Sequence, residues 1–328
     1  MIIYFSIIIL FNTFLCLFYK KFIKLLNIYD KPDKIRKLHE FSVPISGGVI
    51  IFLNFVIFAI YSYNFDNKSL NISSSYSLFI APLVFFFFGL YDDKYTITAK
   101  KKLFFLSFFI ITILLVDDNL TIAKLNFYQF NKNYNLAFPF SLFFTTLCIL
   151  LFINALNMFD GVNIQASFYC LMLFLFFLVK DFDFILSLTI IISLFFFIIL
   201  NIKKKSFLGD GGVYLLAYII SYIIISNYNL KNNIKIEEIF ILMLIPGLDM
   251  FRLFILRLYQ KRSPFDPDRN HIHHILIKKF NLNTKDYFFT IPTVLTFCFY
   301  FFYQKTNSIY LILFFIFLYL FTIFFKIK

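Results

Sequence analysis

Long apolar blocks alternate with short polar segments along the whole chain. Uninterrupted apolar runs fall near residues 1–19, 42–61, 76–91, 103–116, 139–154, 166–179, 184–201, 213–226, 239–256, 288–302 and 308–325. About 20 apolar residues carry an α-helix across the hydrocarbon of a bilayer, and local thinning accommodates the shorter runs. The pattern therefore predicts an all-α integral membrane protein, a polytopic bundle of about eleven transmembrane helices.

Basic residues test that reading, because short loops on the cytoplasmic side are enriched in Lys and Arg. The first run has no basic segment before it and no small-residue cleavage site after it; its lysines follow it. That predicts a retained anchor with the N-terminus outside and the C-terminus cytoplasmic. With eleven spans, 24 of the 31 basic residues fall inside, and only Lys68, Lys124, Lys132, Lys180, Lys231, Lys235 and Lys305 fall outside. The expected organisation is one transmembrane domain over 1–328, with cytoplasmic loops at 20–41, 92–102, 154–165, 202–212 and 257–286.

Composition excludes other classes. With 61% hydrophobic and 15% charged residues, the chain is too apolar for a water-soluble globule, and disorder or a fibrous repeat is excluded with it. The net charge of +13 would suggest nucleic acid on a soluble protein. Its one-sided distribution reads instead as topology, so no nucleic-acid partner is expected. Cys16, Cys148, Cys170 and Cys298 all lie in apolar runs without a CxxC pair, which predicts small core residues rather than disulfides or metal ligands.

Chemistry-bearing residues gather at the ends of runs on the predicted cytoplasmic side. Asp92 and Asp93 close the third run; adjacent carboxylates in a low-dielectric setting need a cation, a basic partner or a shared proton, though a hydrated helix end also holds such a pair. Asp210, within Gly209-Asp210-Gly211-Gly212, opens the eighth run. Backbone N–H groups there are available to an anion, or the aspartate serves as an N-cap. Asn154, Asn157 and Asp160 are spaced to share one helix face, as site groups or as a buried amide ladder, with Asn163 just beyond. His271, His273 and His274 follow Ser263-Pro264-Phe265-Asp266; no cysteine and no HExxH spacing accompanies them, so contact with an anion is favoured over zinc. The first inside loop adds Arg36, Lys37, His39 and the pair Gly47-Gly48, suited to phosphates at headgroup depth. Acids that recruit a divalent cation, together with surrounding cations, are what phosphoryl transfer needs.

The ordered pieces DKPDKIRKLH…PISGG, GLYDD…TAKKKL, NALNMFDGVN, FLGDGG, PGLD and SPFDPDRNHIHH resemble the polyprenyl-phosphate N-acetylhexosamine-1-phosphate transferase family, glycosyltransferase family 4, over residues 30–276. The resemblance implies a helical bundle that moves a sugar 1-phosphate from a UDP-sugar to polyprenyl phosphate at the cytoplasmic face of the plasma membrane, releasing UMP. It implies Mg²⁺, with Mn²⁺ as a substitute, held by Asp210 with Asp92 and Asp93. Asp92, Asp93 and Asp160 are its implied catalytic acids, Asp92 the base toward the lipid phosphate. Lys37, His39, Lys102, Asn157, Asn163, His271, His273 and His274 are its implied substrate contacts. A UDP-sugar, the lipid acceptor and membrane lipids are the expected partners, and the resemblance admits a homodimer.

Two departures stand out. Val213 replaces the Ser that usually follows the glycine after Asp210, and Lys203–Lys205 replace a Pro-rich segment in a shortened stretch from Asn201 to Asp210. The HIHH sequence and eleven spans favour UDP-GlcNAc as donor; the alternative is the phospho-MurNAc-pentapeptide transferase branch of peptidoglycan synthesis. A secondary transporter would place acids at the midplane, often within inverted repeats, and neither feature is seen.

Overall fold

A computed structural model describes residues 1–30, 42–65, 72–263, 270–280 and 308–324. Its helices are α1 (Ile2–Leu17), α2 (Tyr19–Leu26), α3 (Gly47–Phe65), α4 (Ile72–Ser75), α5 (Ala81–Tyr95), α6 (Ala99–Val116), α7 (Phe140–Phe159), α8 (Gln165–Val179), α9 (Phe184–Ile202), α10 (Gly209–Ser226), α11 (Ile236–Tyr259), α12 (Ile272–Phe280) and α13 (Ser308–Phe324). A π-helical turn joins α4 to α5. Strands β1 (Tyr29–Asp30) and β2 (Val43–Pro44) pair antiparallel, as do β3 (Lys124–Phe127) and β4 (Lys132–Asn135). A helix stands at every predicted run except 288–302, which lies outside the described residues.

Six helical segments among the described residues are long and apolar enough to cross a membrane, or seven when α1 and α2 count as one broken span. The first run is not one straight helix: the chain bends by 80° between α1 and α2. Apolarity alone could not foresee this. The basic, amphipathic sequence of α2 (Tyr-Lys-Lys-Phe-Ile-Lys-Leu-Leu) packs one face inward and keeps its lysines exposed.

The bundle is built around α10, which packs against α5, α3, α7 and α8. Every residue from Gly211 to Ser221 on it is buried. Apolar helices gain little by leaving lipid for one another, so close packing and hydrogen bonds must hold them. Two helices approach α10 closely: a Cβ at Gly89 of α5 would collide with the backbone of Asp210 and Gly211, and one at Gly48 of α3 with the backbone of Gly212. The phenyl ring of Phe85 stacks on Tyr218, centroids 4.6 Å apart. On the other flank Asn12 and Asn54 exchange buried amide hydrogen bonds of 2.7 and 3.0 Å between α1 and α3. Tyr4 reaches Thr189 of α9 at 2.8 Å. Cys16, Cys148 and Cys170 are free; Cys170 is a core residue, while Cys16 and Cys148 are half-buried, and Cys298 lies outside the described residues.

The loops sort into two ends. At one end Ile45 bridges to Phe207, and the α5–α6, α7–α8 and α9–α10 connections meet. At the other, Tyr228 accepts the Asn126 N–H and donates to the Lys124 carbonyl, and Lys180 pairs with Glu238 at 2.9 Å. The first set comes from loops predicted inside, the second from loops predicted outside.

Candidate active site

Asp92 and Asp93 occupy the last turn of α5 and point to different partners. Asp92 is buried: its Oδ1 accepts the Ile97 N–H at 2.8 Å, and its Oδ2 accepts the Tyr214 hydroxyl at 3.2 Å and pairs with Lys102. Thr96 turns left-handed at φ 48° and donates its N–H to the Asp92 carbonyl at 2.8 Å. This ends α5 and carries the chain to Thr98, from which α6 starts with Lys102 on its first turns.

Asp93 faces the start of α10. Its Oδ1 accepts the N–H of Asp210 at 2.9 Å and its Oδ2 that of Gly211 at 3.1 Å. The helix N-terminus predicted to offer N–H groups to an anion thus already holds one, a carboxylate of the protein itself, with the favourable dipole such a position provides.

Asp210 completes the cluster. Its Oδ1 accepts the Asn157 amide at 2.7 Å, and its Oδ2 lies 3.3 Å from Lys102 Nζ. The Asp210 side chain keeps 28% exposure, against 1% for Asp92, so of these two Lys102 partners Asp210 is the one with an accessible edge. Asp160 caps the C-terminus of α7, half-buried. Enclosure, then the neighbouring charges of Asp210 and Asp93, hold its carboxyl well above the usual carboxylate range. Among the described residues, four aspartates and one lysine, Lys102, which pairs with two of them, leave an excess of negative charge in a poorly solvated place. Protons or a cation must offset that excess.

Asn154 does not join the site; it returns its amide to the Leu150 carbonyl of its own helix at 2.7 Å. Asn163 lies half-buried in the turn after Asp160, and Ile164 follows at φ 76°. A β-branched residue is strained there. The Ile164 N–H is held by Asn201 Oδ1 at 2.6 Å, while the Asn201 amide grips the Ser206 carbonyl, also at 2.6 Å. Val213 is fully buried, an apolar side chain among apolar neighbours.

The three histidines gather beside this turn. His271 and His273 stack with centroids 5.3 Å apart, and His273 lies 4.4 Å from His274. His273 is wholly buried, neither ring nitrogen has a hydrogen-bond partner among the described residues, and its ring presses on Gly161 where any Cβ would overlap it. Burial, then the flanking His274 and His271, lower its pKa to about 3, so it is neutral at physiological pH. Lys37 and His39 lie outside the described residues.

Sequence reasoning missed the frame behind His271. Asp249 Oδ2 accepts from His271 Nδ1 at 3.1 Å; its Oδ1 accepts from Arg252 at 2.8 Å, the Ile272 N–H at 3.0 Å and the Tyr319 hydroxyl at 3.2 Å. The signal available was Asp249 itself, an acid within an apolar run. It also missed Tyr214, whose hydroxyl is invisible in a count of apolar positions.

Among the described residues no three His, Cys, Asp or Glu side chains form a ready-made metal cage. Asp210, with Asn157 beside it and Asp160 and Asp93 near, is the oxygen-rich corner.

Residues 75–227 match the model of glycosyl transferase family 4. The chain is 28% identical over 284 residues to an undecaprenyl-phosphate alpha-N-acetylglucosaminyl 1-phosphate transferase of Escherichia coli (strain K12), covering 83% of this chain and 75% of that protein. It is 27% identical over 268 residues to the protein of that name in Yersinia pestis, covering 77% and 70%. It is 28% identical over 264 residues to a probable undecaprenyl-phosphate N-acetylglucosaminyl 1-phosphate transferase of Bacillus subtilis (strain 168), covering 76% and 69%.

Proposed function

From the match of residues 75–227 to glycosyl transferase family 4 and the likeness to the relatives above, we propose that this chain belongs to that family and transfers N-acetylhexosamine 1-phosphate, with GlcNAc 1-phosphate first among candidates, from a UDP-sugar to polyprenyl phosphate. UMP leaves, and the lipid-linked sugar starts a cell-envelope glycan. The observation that carries this reading is the convergence of Asp92, Asp93, Asp160, Asp210, Lys102 and Asn157 from four helix ends onto one corner of the bundle.

The site faces the cytoplasm in a plasma-membrane bundle of eleven spans, N-terminus outside and C-terminus inside, and 1–328 forms a single domain. The lysine bias supports this orientation, as does the meeting of alternate loops at a common end. A nucleotide donor reaches the corner from the aqueous side while the lipid acceptor comes from the membrane side.

The donor set suits Mg²⁺, or Mn²⁺: hard carboxylate oxygens, no thiolate, and no full protein cage. Mg²⁺ usually binds through one or two carboxylates and completes its shell with water and substrate phosphates. Asp210 would hold it, with Asp92 and Asp93 lending negative charge and Asp160 close by. When bound, the ion neutralises the donor pyrophosphate and stabilises the departing UMP. The protein's own groups do the rest. Asp93 fixes the start of α10 and so aims Asp210. Lys102 spans Asp92 and Asp210 and offers an ammonium to an incoming phosphate. Asp92 takes the proton remaining on the acceptor phosphate, and Asn157 holds the Asp210 carboxylate in register. His271, His273, His274 and Asn163 flank the donor, with Lys37 and His39 approaching from the first loop. Positioning two phosphates against their mutual repulsion is most of what phosphoryl transfer requires.

The test is purified chain in lipid with polyprenyl phosphate, Mg²⁺ and a panel of UDP-sugars, with mass spectrometry of the lipid product. A GlcNAc-pyrophosphoryl lipid with stoichiometric UMP is expected. Turnover only of UDP-MurNAc-pentapeptide would assign the chain to the peptidoglycan branch, and no turnover of any UDP-sugar would overturn the proposal.

A further inference from the structure

A second charged surface stands apart from the acids. At its 80° bend from α1, helix α2 runs across the end of the bundle. Tyr19, Phe22, Ile23 and Leu26 pack inward, while Lys20, Lys21 and Lys24 are exposed. The Tyr19 hydroxyl lies 2.8 Å from both the Ser46 hydroxyl and the Lys205 carbonyl, and Ser46 lies 2.8 Å from Ser206. This buried chain of hydroxyls fastens α2 to the turn after α9, where Lys203, Lys204 and Lys205 are also exposed. Two segments far apart in sequence thereby present six lysines together, and none of the six has a carboxylate partner among the described residues. The three of the turn stand where the resemblance leads one to expect a Pro-rich segment.

The rim of this patch says what covers it. Leu17 is 82% and Leu25 84% exposed, and Phe18 is exposed beside them. Above the bend α1 shows Ile3, Ile7, Leu10 and Phe14 outward. Apolar side chains followed at once by lysines on a helix turned out of the spanning direction match the depth profile of a bilayer, hydrocarbon and then headgroup. A nucleic acid or an acidic protein would account for the lysines and leave the leucines in water; a lipid surface accounts for both.

We propose that this elbow is a docking surface for the headgroups of anionic glycerophospholipids, gathering a negatively charged shell of lipid around the site end of the bundle. The attraction is of the unspecific, salt-sensitive kind that acts on polybasic segments at charged leaflets. It is independent of the transfer reaction.

Full-length protein, exchanged into nanodiscs containing phosphatidylcholine with phosphatidylglycerol, is to be released into the gas phase and its retained lipids weighed by native mass spectrometry. The variant K20Q/K21Q/K24Q/K203Q/K204Q/K205Q should lose phosphatidylglycerol enrichment at least about tenfold, since a lysine near a charged leaflet is worth up to about fivefold. The same six positions changed to Arg should keep it, as should K124Q/K132Q at the far end. High salt should erase the enrichment in the unaltered protein, a reading that stands even where the glutamine variant fails to fold. Enrichment unchanged by the six substitutions or by salt would overturn the proposal. So would retention of a single lipid species regardless of headgroup charge, or capture of polyanions in preference to phosphatidylglycerol.

Discussion

Lys102 Nζ stands 3.3 Å from Asp210 Oδ2 while pairing with Asp92, so one ammonium links the end of α5 to the beginning of α10. Removing it would leave both carboxylates without their counter-ion. Lys102→Met is expected to lower sugar-phosphate transfer by roughly 10²-fold or more, the scale seen when one preorganised donor is removed. Initial rates of UMP release at saturating donor measure this; a rate within threefold of the unaltered protein would remove Lys102 from the reaction.

Asp93 and Asp210 should separate by what they damage. Asp93 binds two backbone N–H groups at the α10 N-terminus, so Asp93→Ala should cost about 1–2 kcal/mol of stability as well as activity. Asp210→Asn, at a partly exposed carboxylate bonded, among the described residues, only to the side chains of Asn157 and Lys102, should abolish divalent-ion-dependent turnover with a nearly unchanged melting temperature. Thermal denaturation in detergent beside the activity assay checks both.

Gly161 lies under the ring of His273. A methyl there must push the imidazole away, so Gly161→Ala should lose activity with helical content intact. The double variant Gly161→Ala/His273→Ala should be no worse than His273→Ala alone. A strictly multiplicative pair of losses would show the two positions to be uncoupled.

Acid should loosen the site before it loosens the bundle. In the unfolded chain a histidine takes a proton below about 6.5, whereas folded His273 does so only near 3. Between those values the unfolded state binds more protons, so stability falls as pH falls through that window. His273→Phe should flatten the slope, as read from melting temperatures between about pH 7 and pH 4.

The paired amides of Asn12 and Asn54 give a prediction far from the acids. A double-mutant cycle with Ala should return a coupling of roughly 0.6–1.7 kcal/mol, the range for polar contacts between helices in lipid, and leave kcat untouched.

How much of this was legible beforehand depended on what each signal was made of. Runs of apolar residues predict helices well, because a chain in hydrocarbon must satisfy its backbone internally. α3, α5 and α7 to α11 stand where the pattern puts them. The convergence of Asp92, Asp210 and Lys102 was legible from the side of the membrane each was assigned to. Direction was not. Spacing put Asn154 with Asn157, yet Asn154 bonds to its own helix while Asn157 reaches Asp210. The glycines around Asp210 suggested an open anion cradle, and only three-dimensional packing reveals that Asp93 fills it. Tyr214 and Tyr319 looked like two aromatics among many, since nothing in an apolar run tells which hydroxyl will find a carboxylate.

Tyr319 carries a consequence for anyone trimming this chain. It belongs to α13, well beyond the stretch matched by the family, yet its hydroxyl rests on the carboxylate that holds His271. A protein shortened before residue 308 would keep Asp92, Asp93, Asp160 and Asp210 with the partners described above, yet loosen Asp249 and so free the histidines from behind. Tail deletions and bulky C-terminal fusions would then be felt first as a loosened histidine cluster rather than as a failure to insert into the membrane.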